Sequence, residues 1–224
     1  MNGDRGGPGD DIIELISRDD RAGVAELVTR HPAAARARGA DGVSALLHAV
    51  YRGRREIAEL LDAAGAERDV FNSAGLGKCD RLLSLLDSDP RLVEARSADG
   101  WTALHLAAFF DHADAVQCLL ERGADPRAIS RNAQANHPLH AACAGGGSEA
   151  ALALIASGAD PRYPAQGFTP LHVASANGLR AVVAALLEAG ADPSARDPSG
   201  KTPADHAREK GHAGVAKMLE QGRS

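Results

Sequence analysis

Aromatic residues make up only 3% of this 224-residue chain: one tryptophan, two tyrosines and four phenylalanines. Few rings are available for a core, so where they stand carries information. Cysteine is also scarce. Cys79, Cys118 and Cys143 are odd in number and show no C-x-x-C spacing, which argues against a disulfide framework and a structural zinc site and favours a reducing compartment. Positive charge is in deficit, with a formal charge of -5 and a pI near 6.0. That balance gives no electrostatic ground for nucleic acid or an anionic membrane as partner. Arg52, Arg54 and Arg55 cluster locally and read as a solvated helix turn. No apolar run approaches bilayer length, and Met1 to Asp10 is glycine-rich without the apolar centre of a signal peptide. The expectation is a cytoplasmic protein with a disordered tail over residues 1–10.

What the chain does have is a recurring unit. In GWTALHLAAFFDHADAVQCLLERGAD, from Gly100 to Asp125, Leu104, Ala107 and Ala108 take helical spacing, and Val116, Leu119 and Leu120 repeat it after a polar break at Asp111 and His112. Two helices of about two turns follow, each too short to survive alone in water. The unit returns as FTPLHVASANGLRAVVAALLEAGAD from Phe168 and, with a looser opening, as HPLHAACAGGGSEAALALIASGAD from His137. The intervals His105 to Gly123, His140 to Gly158 and His172 to Gly190 are identical.

These residues resemble the ankyrin repeat, in which a T-P-L-H block opens the first helix and a G-A-D block closes the second. The resemblance implies an all-α solenoid of about seven helix pairs joined by short β-hairpin-like loops. The units fall roughly at 11–40, 41–68, 69–98, 99–129, 130–162, 163–196 and 197–224, forming one domain from 11 to 224. It also implies a stand-alone array of bacterial origin, monomeric and free of cofactors.

Several units depart from the pattern. The first and third lack the T-P-L-H opening; the second has Ser44 in the threonine slot and Leu47 in the histidine slot. A shift of 58 residues lays Gly42 on Gly100, Pro32 on Pro90 and Gly65 on Gly123, so residues 11–68 read as a duplicate of 69–126. Gly123 to Pro138 is two residues longer than Gly190 to Pro203, and Gly158 to Pro170 is one shorter. The fifth hairpin, SRNAQANH from Ser130 to His137, should therefore be irregular and project, and the sixth should be tight. In the last unit Asp205 replaces the histidine, and Arg208, Glu209 and Lys210 suit the wet outer side of a terminal cap.

Little in the chain points to catalysis. His105, His140 and His172 share one slot, but equivalent atoms of stacked helices lie roughly 8–10 Å apart. A zinc ion needs its nitrogen ligands about 2.0–2.1 Å away, so this slot cannot supply a shared site. The family resemblance assigns these histidines to hydrogen bonds with hairpin backbone, helped by Thr102 and Thr169. His112 with Asp114 and His206 with Asp205 lack a nucleophile. Gly145, Gly146 and Gly147 lack the lysine of a P-loop. Cys118 and Cys143 read as core thiols, and Cys79 as a half-exposed thiol beside Lys78.

The family resemblance then implies the expected function: a non-enzymatic scaffold that binds a protein partner through its concave face and hairpin tips. An enzyme with an unfamiliar groove site and an oligomerising component are the alternatives. Trp101 and Phe168 stand between glycine and threonine at hairpins, and Tyr51, Phe109 and Phe110 end first helices, where the family exposes variable positions. With Arg52 and Asn136 they form the expected partner-binding set, the rings making a stripe centred on the fourth unit. The competing reading is that the rings fill gaps between irregular units.

Overall fold

The computed structural model describes residues 8–221. Within them the chain forms seven successive helix pairs: α1 (Pro8–Ser17) with α2 (Arg21–Arg30), α3 (Ala45–Tyr51) with α4 (Arg55–Ala63), α5 (Val70–Gly75) with α6 (Cys79–Ser88), and α7 (Ala103–Phe109) with α8 (Ala113–Glu121). Then follow α9 (Pro138–Gly145) with α10 (Ser148–Ala156), α11 (Pro170–Ala176) with α12 (Arg180–Glu188), and α13 (Pro203–Glu209) with α14 (Ala213–Gln221). Among the described residues β-pairing is confined to the isolated bridges Arg38 to Ser44 and Ala165 to Phe168. The architecture is the expected all-α solenoid. Of the tail expected over residues 1–10, residues 1–7 lie outside the described chain, while α1 already begins at Pro8.

Five of the seven first helices start where a short polar side chain caps them; α9 follows His137, whose side chain makes no such bond. The hydroxyls of Ser44, Thr102, Thr169 and Thr202 and the carboxylate of Asp69 each accept the backbone N–H three residues on, satisfying one of the donors a helix start leaves open. The core between helices is leucine and alanine: Leu104, Leu106, Ala107, Ala108, Leu119, Leu139 and Leu171 are all fully buried or within 1% of it. Small residues let first helices approach closely. Gly145 is the extreme, since a methyl group there would sit 1.8 Å from the Phe109 carbonyl oxygen.

The hairpins carry the predicted length differences. Ser97 donates its N–H to the Trp101 carbonyl, and Asp197 to that of Lys201, in the regular loops. The fifth loop closes from Ser130 to Asn136, and the sixth from Phe168 to Ala165, two residues wider and one tighter. The wide loop does not project freely. Arg131 donates its N–H to the Gly100 carbonyl, Asn132 Nδ2 to that of Asp99 and Gln166 Nε2 to that of Ala133, which straps it to both neighbours.

The 58-residue shift recurs in the helix boundaries. Ser17 and Gly75 end α1 and α5, Arg21 and Cys79 start α2 and α6, Ala45 and Ala103 start α3 and α7, and Arg55 and Ala113 start α4 and α8. Short 3-10 turns at Pro32–Arg36 and Pro90–Glu94 complete the match. Between the two copies the stack is interrupted. The buried apolar residues of the first two units form one core, and Val43, Leu47 and the remaining units form another. Successive second helices pack throughout the array except α4 and α6, which barely meet.

One covalent tie corrects the cysteine reading. Cys79 at the start of α6 and Cys118 in α8 are joined as a disulfide, with Cα atoms 6.5 Å apart, inside the separation that a bridge can span. Cys118 is therefore half-buried and cross-linked, not a core thiol, whereas Cys143 is buried and free. The pairing was invisible in sequence because the partners lie 39 residues apart and meet only when second helices stack.

Candidate functional site

Four of the expected residues converge. Tyr51 ends α3, Phe109 ends α7, Phe110 follows it, and Trp101 lies in the hairpin before α7. Their ring centroids are 5.3 Å apart for Trp101 and Phe109, 5.0 Å for Phe109 and Phe110, 5.6 Å for Tyr51 and Phe110 and 6.3 Å for Tyr51 and Trp101. Edge-on and tilted orientations predominate, as ring quadrupoles favour. All four are half-buried.

Tyr51 reaches the fourth unit because the third steps aside. Gly75 ends α5 at the point where α3 has Tyr51 and α7 has Phe109, and a side chain there would press within 2.9 Å of Leu47 and 4.0 Å of Phe110. Across this gap the Tyr51 hydroxyl donates to the Asp99 carboxylate, which also accepts from the Ser97 hydroxyl. Burial and the adjacent Asp99 charge raise the Tyr51 phenol above its ordinary value, so it stays protonated as a donor. Sequence reasoning did not select Gly75 or Asp99. The signal for Gly75 was available: aligning helix ends, rather than motif slots, puts it opposite two rings.

The rings differ in how they are held. Tyr51, Trp101 and Phe110 pack on the main apolar core, and Phe109 does not. Phe110 also lines a cleft of about 540 Å³ with Val50, Ala58, Leu76 and Lys78, opening where α4 and α6 part. Arg52 is exposed beside Tyr51, with Nη1 3.0 Å from His48 Nδ1.

Phe168 and Asn136 stand elsewhere. Phe168, 37% exposed, pairs with His172 and His206 at 6.1 and 5.9 Å and makes a separate patch. Asn136 is only 8% exposed, and its carbonyl accepts from His105 Nε2. It belongs to the hairpin interior, beneath the exposed tip at Arg131, Ala133 and Gln134, and does not offer its side chain to a partner.

The histidine slot is occupied by hairpin bonds. His105 Nδ1 lies 2.8 Å from the Thr102 hydroxyl, and Nε2 is 3.0 Å from the Asn136 carbonyl of the next hairpin. His172 repeats this with Thr169 and Lys201, and His140 Nε2 meets the Phe168 carbonyl at 3.1 Å. In the fifth unit the threonine slot holds His137, which stacks on Tyr163 at 3.8 Å and leaves His140 Nδ1 without a partner. Burial drives the His105 and His140 imidazoles down to about 4, and lowers His172 as well, so all three are neutral at pH 7. In the last unit Asp205 has no N–H to give a neighbouring hairpin. Its carboxylate instead accepts from the Thr202 backbone and hydroxyl and from Arg208.

Comparison with known proteins agrees with this geometry. The family model described as "Ankyrin repeats (3 copies)" matches residues 70–165 and 128–197, together more than half the chain. The E3 ubiquitin-protein ligase XB3 of rice (Oryza sativa subsp. japonica) is 36% identical over 97 residues, 43% of this chain and 21% of that protein. A Caenorhabditis elegans homolog of the transient receptor potential cation channel subfamily A member 1 is 29% identical over 221 residues, 95% of this chain and 17% of the channel. The bovine ankyrin repeat and SOCS box protein 3 is 42% identical over 53 residues, 24% of this chain and 10% of that protein. The chain thus spans about a fifth or less of these relatives. A bacterial origin finds no support among them. Among the described residues no helix is long and apolar enough to cross a membrane.

Proposed function

The chain belongs to the ankyrin-repeat family, and from that premise we propose that it is a non-enzymatic scaffold that binds a protein partner on the face formed by its first helices and hairpins. The observation that carries the proposal is the spending of four of seven aromatic residues on one contiguous, half-buried surface cluster, Tyr51, Trp101, Phe109 and Phe110. Half-exposed rings that already lie fixed against one another lose little freedom when a partner covers them, which makes them efficient anchors. Arg52 stands at the rim of the cluster, and Phe168 would add a separate contact two units away. The ring-to-backbone bonds of the histidines leave that slot to hairpin architecture, so catalysis by it is not part of the proposal.

The test separates binding from packing. Trp101, Tyr51 and Phe110 rest on the core, so their truncation lowers stability whether or not they bind. Phe109 rests on the other rings and is the clean probe. Affinity capture from native lysate should lose its specific partner with Phe109→Ala, while the melting temperature moves by no more than a few degrees. Unchanged capture by a folded Phe109→Ala protein would remove the cluster from the interface.

A further inference from the structure

The third unit is the least self-sufficient of the array. Its first helix, α5, has six residues, and Asn72 and Ser73 in it are fully buried polar side chains. Asn72 is satisfied by the Ser44 hydroxyl at 2.7 Å and the Glu67 carbonyl at 2.6 Å, but a short helix around polar groups contributes little apolar burial. Towards the second unit α6 finds scant packing against α4. The main tie there is Arg81, bidentate on Asp62 at 2.6 and 3.2 Å. Towards the fourth unit the apolar core is continuous, and the Cys79–Cys118 bridge is added to it.

We propose that Cys79 and Cys118 form a thiol–disulfide switch that decides whether the third unit is covalently held to the fourth. Both residues are half-buried, so a small thiol can approach them without unfolding the array. Cys79 opens the ten-residue helix α6, where unpaired N–H groups favour the thiolate. Cys143 takes no part. It is fully buried, with its thiol pushed up to about 12, and therefore stays protonated and unreactive.

The chemistry balances with glutathione as co-reactant. One glutathione thiolate attacks Cys118 Sγ, the protein S–S bond breaks, and Cys79 leaves as the thiolate that the start of α6 favours, later taking up a proton. A second glutathione thiolate attacks the glutathione sulfur of the mixed disulfide, releasing Cys118 as a thiolate that takes up a proton and forming glutathione disulfide. The protein gains two electrons and two protons, and two glutathiones are oxidised. The reverse sequence closes the bridge at the expense of glutathione disulfide.

The consequence is a change in where the array opens. In a solenoid each unit is held only by its neighbours. With the bridge closed, the third unit stays with the fourth, and the seam between α4 and α6 is the weak point. With the bridge open, the third unit can also detach on its far side.

Folded protein equilibrated in glutathione buffers of graded oxidation, trapped by alkylation and mapped by mass spectrometry, should yield a Cys79–Cys118 cross-linked peptide that disappears in reducing buffer. Hydrogen exchange should then be at least tenfold faster across α5 and α6 in the reduced than in the oxidised protein, with α11 to α14 unchanged within twofold. Cys118→Ser should exchange like the reduced protein in both buffers; the wild-type comparison alone decides the matter if that variant is poorly folded. Glutathione adducts on separate cysteines without a cross-link, or equal exchange in the two redox states, would overturn the proposal.

Discussion

The neutral, buried histidines make the array sensitive to mild acid, and the size of the effect follows from their geometry. His105 and His140 each give their Nε2 proton to a neighbouring hairpin carbonyl, a bond the neutral ring can make. A second proton would have to enter at Nδ1. In His105 that atom faces the Thr102 N–H and hydroxyl, and in His140 it is buried without an acceptor. The folded protein therefore holds both rings near 4, while the unfolded chain titrates them at about 6.5. As pH falls below 6.5 the unfolded state takes protons first, so the stability present at pH 7 is lost progressively until pH approaches 4. At pH 5 each unfolded imidazole gains roughly RT ln(1 + 10^1.5), or about 2 kcal/mol, and the two together about 4 kcal/mol. His172 acts in the same direction. Asp41, Asp62 and Asp205 have lowered values and stay ionised in both states at pH 5, so they add little in this window. Asp69, raised by burial, works weakly against the trend.

Urea unfolding followed by circular dichroism reads this directly. With an m-value of about 3 kcal/mol/M, the midpoint should drop by more than about 1 M between pH 7 and pH 5. Replacing both rings with asparagine, the residue that the third unit carries three positions after its cap at Asp69, should lower stability at pH 7 but flatten the pH dependence over the same range. Equal midpoints for the parent protein at pH 7 and pH 5, or an undiminished slope in His105→Asn/His140→Asn, would refute the argument.

Two further outcomes test the packing. Gly145→Ala places a methyl group against the Phe109 backbone oxygen, which neither helix can relieve by a rotamer change. It should cost about 3 kcal/mol or more by thermal melting, and a loss below about 1 kcal/mol would mean that α7 and α9 separate easily. Thr102→Ala removes the cap of α7 and the partner of His105 Nδ1, for a loss of roughly 2 kcal/mol, whereas Thr102→Ser should retain most of it; equal losses would show that the hydroxyl is not what matters.

How much of this was legible depends on the range of the interaction. Features written within one unit came through: the pairing of Thr102 with His105 and Thr169 with His172 that the family resemblance implied, and the loop lengths counted from glycine to proline. Features that arise between units did not. Cys79 and Cys118 have unremarkable sequence surroundings and become partners only through the lateral register of α6 and α8. The insertion at Ser130–His137 looked like a projecting finger because its residues are polar, yet the Arg131 N–H, the Asn132 amide and the Ala135 carbonyl are tied to Gly100, Asp99 and Tyr163. The aromatic stripe was foreseen as continuous through Phe168, but a ring in the sixth hairpin lies two units from Trp101 and meets His172 and His206 instead.

The interruption between the duplicated copies gives the ring cluster its particular position. Under the 58-residue shift Tyr51 corresponds to Phe109 and Arg52 to Phe110, so the second copy carries two rings where the first carries one ring and a guanidinium. Gly75 lies between them in sequence and supplies no side chain. Tyr51 therefore crosses from the first copy to the second and packs on Trp101, Phe109 and Phe110, just where the apolar core divides and α4 and α6 barely meet. Contacts that are few in number carry a larger share of the cohesion at such a boundary, because neighbouring units are all that hold a solenoid together. A partner that covers all four rings would have higher affinity for the closed seam than for an open one, and by linkage would stabilise closure by the same free energy. Tyr51 and Trp101 substitutions thus alter the seam and the proposed surface together. Phe109, which pairs with the other rings and is not packed on the apolar core, is the position at which the two effects come apart.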